Sequence, residues 1–224
     1  MKKYEHIKIE ITKIEQLALD IKEFTASRVD GQDYRFSPGQ HLLFWLPTKY
    51  SSFSLASNPI NTKEFAFAVR KIGRSTGFLH DEVNVGDELE ITAPMGKGFD
   101  QEKIKGKDIW FIAGGIGLMG LSAQILTIEA NPDLYPGQHK LFYGLRDRRE
   151  LLWPDKIERW KDFMDIDITG DGRHLVGDLL HEDLEVHDEI AVFICGPAAF
   201  FKPIFQLLIK LGIKPQNIQT NIWE

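Results

Sequence analysis

The feature that most constrains this chain is an uncharged stretch across residues 109–126, Ile-Trp-Phe-Ile-Ala-Gly-Gly-Ile-Gly-Leu-Met-Gly-Leu-Ser-Ala-Gln-Ile-Leu. Its first five residues form an apolar run with the length and character of a buried parallel strand. Four glycines follow within seven residues, at 114, 115, 117 and 120. From Leu121 the composition turns helix-friendly. Strand, glycine turn and helix in that order put exposed amides at a helix start, which favours an anionic phosphate. Glycine also lets the backbone approach a ligand with no Cβ in the way. Gly115, Gly117 and Gly120 spell G-x-G-x-x-G. That spacing alone is a weak signal, and the acidic residue expected about 20 residues further on is not clearly present.

A membrane helix is the competing reading, because no residue from 109 to 128 is charged and about 20 apolar residues span a bilayer. The glycines, Ser122 and Gln124 dilute the apolar run. No two of the glycines are four apart, so the usual small-residue packing motif is missing. We therefore expect no membrane span.

The chain has 224 residues, enough for two modest domains. Its net charge of −6 gives no basic face for nucleic acid. The first residues, Met-Lys-Lys-Tyr-Glu, lack the apolar core of a signal peptide. Cys195 is the single cysteine. An intramolecular disulfide framework is excluded, and a reducing cytoplasm is the expected location. A conventional iron–sulfur cluster within the chain is excluded as well, since it needs about four thiolates. None of the seven histidines forms an H-x-x-x-H pair, so no metal site is expected.

Residues 5–99 read as β-structure. Residues 7–11 alternate as a half-buried strand should. Residues 37–40, Ser-Pro-Gly-Gln, are a turn. Strands are expected at 41–46, 52–57, 64–70 and 89–93, with one short helix at 76–82. Short strands with closely spaced turn signals indicate a barrel or a sandwich. Residues 100–108 are charged and read as a linker. After them strands at 109–113, 140–143, 165–169 and 190–195 alternate with helices to about 130, at 155–163 and at 198–211. That alternation means a parallel sheet wound by crossovers. Ligands of such sheets sit at the carboxyl ends of strands, which here are residues 114–117, 144–147, 170–173 and 195–197.

Five segments, in order, carry a family resemblance. They are Phe-Ser-Pro-Gly-Gln at 36–40, Ser-Ser-Phe-Ser-Leu-Ala-Ser at 51–57, Gly-Arg-Ser-Thr-Gly-Phe-Leu at 73–79, Ala-Gly-Gly-Ile-Gly at 113–117 and Cys-Gly-Pro at 195–197. They resemble the F-x-P-G-Q turn, the R-x-[YF]-S-x-x-S flavin motif, the G-x-x-[ST]-x-x-L phosphate loop, the nicotinamide-nucleotide loop and the C-G-P segment of the ferredoxin–NADP reductase-like flavoprotein reductases, a group that includes flavin reductases. The resemblance spans nearly the whole chain.

It implies a flavin-binding antiparallel β-barrel at 1–100, then an α/β domain at 108–224 with a parallel sheet that binds the nicotinamide nucleotide. It also implies roles. Phe53, Ser54 and Leu55 line the isoalloxazine, with the Ser54 hydroxyl near flavin N5. Arg74, Ser75, Thr76 and Gly77 hold the flavin phosphates. Gly114, Gly115 and Gly117 hold the dinucleotide pyrophosphate. Cys195 lies beside the nicotinamide C4, with Gly196 and Pro197. Asp171 and the near-terminal Trp223 complete the cofactor-binding set. Taken alone, Phe53 and Leu55 also suit plain barrel core, and a cysteine ending a buried strand is often only a packed apolar residue.

The implied cofactors are FAD, with FMN as an alternative, and NADH or NADPH. The implied activity is an NAD(P)H-dependent flavin oxidoreductase passing electrons to a redox-protein acceptor. A reductase using free flavin as substrate and a non-catalytic subunit with this fold are the alternatives. Ser51 stands where the family's motif has an arginine, so Lys49, Arg70 or Arg74 must supply the phosphate's counter-charge, with Arg74 best placed. The sequence ends at Trp223-Glu224, with no cysteine-rich extension to carry a [2Fe–2S] centre. In the resembled family, choice between NADH and NADPH rests on side chains after the third α/β strand. There Asp171 favours NADH, while Arg173, Arg146 and Arg148 argue the other way.

Overall fold

The computed structural model describes residues 4–45, 50–180 and 184–223. The described residues up to Phe99, together with Ser122–Thr127, form one compact unit. Asp100–Leu121 and the residues from Ile128 onward form a second.

The first unit contains β1 (His6–Ala18), β2 (Ile21–Arg28), β3 (His41–Trp45), β4 (Tyr50–Ser54), β5 (Glu64–Arg70), the helix α1 (Arg74–Asp81) and β6 (Glu88–Thr92). The strands pair antiparallel in the order β4-β3-β6-β1-β2-β5. A bridge between Leu55 and Phe67 joins the two outermost strands and closes the wall into the expected barrel. β1 buries Ile7, Ile9 and Ile11 and exposes His6, Lys8 and Glu10, the period-2 pattern of a half-buried strand. Irregularities between Ile11 and Lys13 and between Gln16 and Ala18 bend it along its length. Inside lie Phe24, Phe44, Phe65, Phe67 and Leu79, all fully buried. Phe24 and Phe67 stack at 5.3 Å. Each such phenylalanine contributes roughly 1.5–3 kcal/mol relative to exposure.

β2 was not among the strands read from the sequence. Glu23 and Phe24 are adjacent and both buried, so the alternation that identifies a strand is broken there.

The second unit contains β7 (Asp108–Gly114), α2 (Leu118–Ala130), β8 (His139–Gly144), α3 (Pro154–Trp160), β9 (Asp165–Ile168), β10 (Ile190–Pro197), α4 (Ala198–Lys210) and β11 (Ile218–Trp223). The middle of α2 groups with the first unit. Its five strands are parallel, in the order β11-β10-β7-β8-β9. Trp110, Ile112, Phe142, Val192, Ile194, Ile204 and Leu208 form one buried cluster on this sheet. The segment read as a linker is anchored here: Ile104 is fully buried, and the Asp100 amide donates to Gln219 Oε1 at 2.7 Å. β11 was also not foreseen from the sequence. Among the described residues no helix is long and apolar enough to cross a membrane. The uncharged stretch is divided instead between β7 and α2.

Candidate functional site

In the barrel the β3–β4 pairing sets the flavin-motif residues. Phe53 is half-buried and meets Phe44 edge-on at 5.6 Å and Phe67 at 5.9 Å. Ser54, half-buried, stands opposite His41. Leu55 differs from the role expected of it. Its side chain is wholly inside the barrel core, and its amide donates to Gln40 O at 3.1 Å. Its side chain therefore faces the barrel core, and what it gives a ligand site is the closed wall.

The loop before α1 is fixed by Thr76. Its Oγ accepts from the amides of Ile72 and Gly73, at 3.0 Å each, and lies 3.0 Å from the Gly73 carbonyl. The first intrahelical bond runs from the Gly77 amide to Gly73 O at 2.7 Å. The amides of residues 74–76 precede that ladder, as at every helix start, and carry the positive end of the helix dipole. The Thr76 hydroxyl thus shapes the loop, and the backbone amides are what the loop presents to an anion. Ser75 is buried, whereas Arg74 is exposed and pairs with no carboxylate among the described residues. Of the cations weighed for the missing motif arginine, Arg70 is engaged with Asp20 at 3.3 Å, and Lys49 lies outside the described residues. Among the described residues weighed, Arg74 is the one for which no ion pair is found.

In the second unit the carboxyl ends of β7 and β10 lie side by side, with Ala113 opposite Cys195. This brings Gly114, Gly115, Gly117, Cys195, Gly196 and Pro197 together. Gly115 has φ +54°, a left-handed conformation that favours glycine. A Cβ at Gly117 would stand 2.1 Å from Cys195 O, and Cβ atoms at Gly114 and Gly196 would stand 2.8 and 2.7 Å from the Phe200 ring. Close packing therefore demands three of these glycines, and the turn they allow ends in a tight helical turn at residues 115–117 that leads into α2.

Cys195 is fully buried. Burial pushes its thiol pKa up, opposed only by the backbone of Gly120, so it is a neutral thiol and not a nucleophile. Trp223 pairs with Pro197 through its backbone in β11, and its side chain lies outside the described residues. Asp171 follows β9. One carboxylate oxygen accepts from the Arg173 and His174 amides at 2.9 Å each, and the other lies 2.5 Å from His174 Nδ1. Those bonds, led by the backbone amide of His174, hold the carboxyl well below the usual range. Asp171 in turn raises the His174 pKa. Arg146, Arg148 and Arg173 are exposed, and Arg148 Nη2 donates to Ile168 O at 3.3 Å.

The two phosphate-bearing cofactors can be tested against these residues. The start of α1 offers amides and the exposed Arg74 guanidinium, which has no carboxylate partner among the described residues, and the turn between β7 and α2 offers a glycine cradle at the carboxyl edge of a parallel sheet. Both fit a phosphate. Among the described residues no three His, Cys, Asp or Glu side chains converge as a metal site would require.

No family model matches the chain. Over 206 residues it is 30% identical to the probable dihydroorotate dehydrogenase B (NAD(+)) electron transfer subunit of Pyrococcus furiosus, across 90% of this chain and 74% of that one. The chain belongs to the ferredoxin reductase-like FAD- and NAD-binding reductases. Members of this family are NAD(P)H-dependent flavin oxidoreductases that pass electrons through FAD to an acceptor. The gamma subunit of sulfhydrogenase 1 from the same organism is 28% identical over 200 residues, 84% of this chain and 68% of that one. Phthalate dioxygenase reductase, a solved structure described as a module for electron transfer from pyridine nucleotides to [2Fe–2S], superposes with a TM-score of 0.82 at 19% identity. The match covers 97% of this reductase-like chain and 68% of that one. At that identity the likeness establishes the shared two-domain fold.

Proposed function

We propose that this chain takes a hydride from NADH or NADPH onto FAD held by the barrel unit and delivers the electrons to a separate redox-protein acceptor. The observation that carries this is a helix start at α1 in the barrel unit, whose amides 74–76 precede the intrahelical ladder, together with a glycine turn at the carboxyl ends of β7 and β10 in the α/β unit, which suits a pair of phosphate-bearing cofactors. Residues 1–100 serve as the flavin domain and 108–224 as the nucleotide domain. When bound, the flavin supplies the hydride-accepting N5 atom.

The protein's own part is to bind and orient. Phe53 presents an aromatic edge to the isoalloxazine, and the Ser54 hydroxyl serves N5. The amides of residues 74–76, shaped by Thr76 and helped by Arg74, hold the flavin phosphates, with Gly77 closing the first helical turn behind them. The Gly114, Gly115 and Gly117 turn holds the nucleotide pyrophosphate. Cys195, Gly196 and Pro197 shape the wall beside the nicotinamide, with Cys195 acting through volume, and Trp223 ends the neighbouring strand. Asp171 orders the loop after β9. Holding the two reacting atoms at near-contact distance accounts for much of the rate. A cytoplasmic location is supported by the single cysteine.

A second reading is favoured by one residue. Ser51 replaces the family's phosphate-binding arginine, and a lost bidentate contact weakens flavin retention. On that reading free flavin is a substrate. The absorbance spectrum of the purified protein tests both. Stoichiometric flavin after gel filtration supports the first. A colourless protein that oxidises NADH only when flavin is added supports the second, and one that binds neither cofactor contradicts both.

A further inference from the structure

We propose that Ser122 is a positioning residue that makes the two cofactors bind cooperatively, by holding the flavin-motif segment from the helix that starts at the glycine turn. This rests on the reading that residues 51–57 carry the flavin and residues 114–117 receive the nicotinamide nucleotide. Ser122 lies on α2 and groups, like Ala56, with the first unit. Both residues are fully buried, and the Ser122 hydroxyl donates to Ala56 O at 2.7 Å. Ala123, next to it, belongs to the barrel's buried cluster. The other hydroxyl of α2 stays within the helix, where Thr127 Oγ donates to Ala123 O at 2.7 Å.

Ala56 O can take this bond because the strand pairing is interrupted there. Leu55 and Phe67 are bridged, and the Ala56 amide donates to Ala66 O at 2.8 Å. In a regular antiparallel pair the Ala66 amide would return the bond to Ala56 O. It donates instead to Ser57 Oγ at 2.9 Å, and Ala56 O accepts from Ser122. Two serine hydroxyls thus replace one ladder bond, and Ser57, the last residue of the motif segment, decides which donor Ala56 O receives. A second arrangement also satisfies these groups. In it the Ala66 amide closes the ladder onto Ala56 O, and the Ser122 hydroxyl turns back to a carbonyl of its own helix, as helical serines do.

Two donors competing for one carbonyl make this segment a two-state element. α2 is capped at Gly117, and Ser122 lies about 7.5 Å further along the same helix. A nucleotide held at the glycine turn fixes the start of α2, and with it the Ser122 donor. A flavin held by residues 51–57 fixes the acceptor. Each ligand therefore favours the Ser122–Ala56 bond, and whichever binds first leaves less for the other to order. Coupling of this kind is reciprocal. Nothing local in the sequence shows it, because the two residues are 66 apart.

The test is titration of the flavin-depleted protein with FAD, without and with a saturating oxidised nucleotide (NAD+ or NADP+, whichever binds tighter), and the converse titration with and without FAD. Neither nucleotide reduces the flavin, so only binding is read. In the wild type each ligand should tighten the other by roughly two- to tenfold, the worth of one neutral hydrogen bond, and by the same factor in both directions. In Ser122→Ala, and in Ser57→Ala, which returns Ala56 O to the Ala66 amide, both factors should fall to near one. The double variant should lose no more than either single, because the two serines act as a unit. In FAD-saturated protein Ser122→Ala should raise KM for NADH by more than it lowers kcat, a split that a general loosening of the fold would not give. Independent binding in the wild type, or wild-type coupling in Ser122→Ala, overturns the proposal. If Ser122→Ala does not fold, Ser57→Ala is held to the same criteria. A wild type that fails to bind FAD, or fails to bind both nucleotides, overturns instead the reading of the two sites on which the proposal rests.

Discussion

A Cβ on Gly117 would stand 2.1 Å from the carbonyl oxygen of Cys195 and 2.7 Å from its carbonyl carbon. No rotamer relieves this overlap, since a Cβ is fixed by the backbone and the obstacle is the backbone of β10. The glycine turn after β7 and strand β10 are thus locked together by the absence of one methyl group. Gly117→Ala should destabilise the protein by about 1–3 kcal/mol, the range of an overpacked core, and should raise KM for NADH. The matched control is Gly73→Ala, whose Cβ meets nothing within 4 Å. A lower Tm in Gly117→Ala and an unchanged Tm in the control is the expected pattern. Equal melting temperatures would remove the account of this turn.

Arg74 is the exposed cation at the start of α1 and has no carboxylate partner among the described residues. Arg74→Ala should weaken flavin binding by about 1.5–3 kcal/mol, the worth of one charge-assisted hydrogen bond. The loss should shrink as salt is raised, because the contact is exposed and screened. Flavin titration at two ionic strengths decides this. An unchanged Kd at low salt would leave the phosphates to the backbone alone.

The Asp171–His174 contact is exposed on both sides, and its pH dependence has a definite sign. His174 is raised by Asp171, so its contribution to the loop is complete below the ordinary histidine range and is lost as pH rises through the raised value. Asp171 is lowered, so its contribution is present above the ordinary carboxylate range and is lost only in strong acid. The pair orders the loop between those limits. An NMR titration should place His174 above 6.5 in the wild type and near it in Asp171→Asn. Because the carboxylate already accepts from two amides and His174, Asp171→Asn should lower kcat/KM for NADH and NADPH by similar factors. A tenfold change in their ratio, about 1.4 kcal/mol, would show instead that Asp171 reads the ribose.

The parts of this molecule that were legible in the sequence are those whose residue types have no substitute. Gly115 needs a positive φ, Gly117 cannot carry a Cβ, and Pro and Gly in residues 36–40 announce a turn. Strands with clean alternation, such as β1, were visible for the same reason. β2 was not, because tertiary packing buries Glu23 beside Phe24 and erases the period. The pairing of Arg70 with Asp20 joins residues 50 apart and has no local signal. Leu55 read as a flavin contact because the motif marks a segment, whereas the closing bridge to Phe67 decides which way its side chain points. Asp171 and His174 sit at a spacing that permits the observed turn, but only the structure shows the carboxylate engaged.

The central claim is that this chain moves a hydride from a nicotinamide nucleotide to a flavin it holds. The most direct measurement is anaerobic titration of the FAD-reconstituted protein with NADH, following the flavin's visible absorbance. The account predicts bleaching that is stoichiometric with NADH and recovery of the band when an artificial one-electron acceptor is added. A flavin that stays bound and stays oxidised through excess NADH and excess NADPH would contradict it.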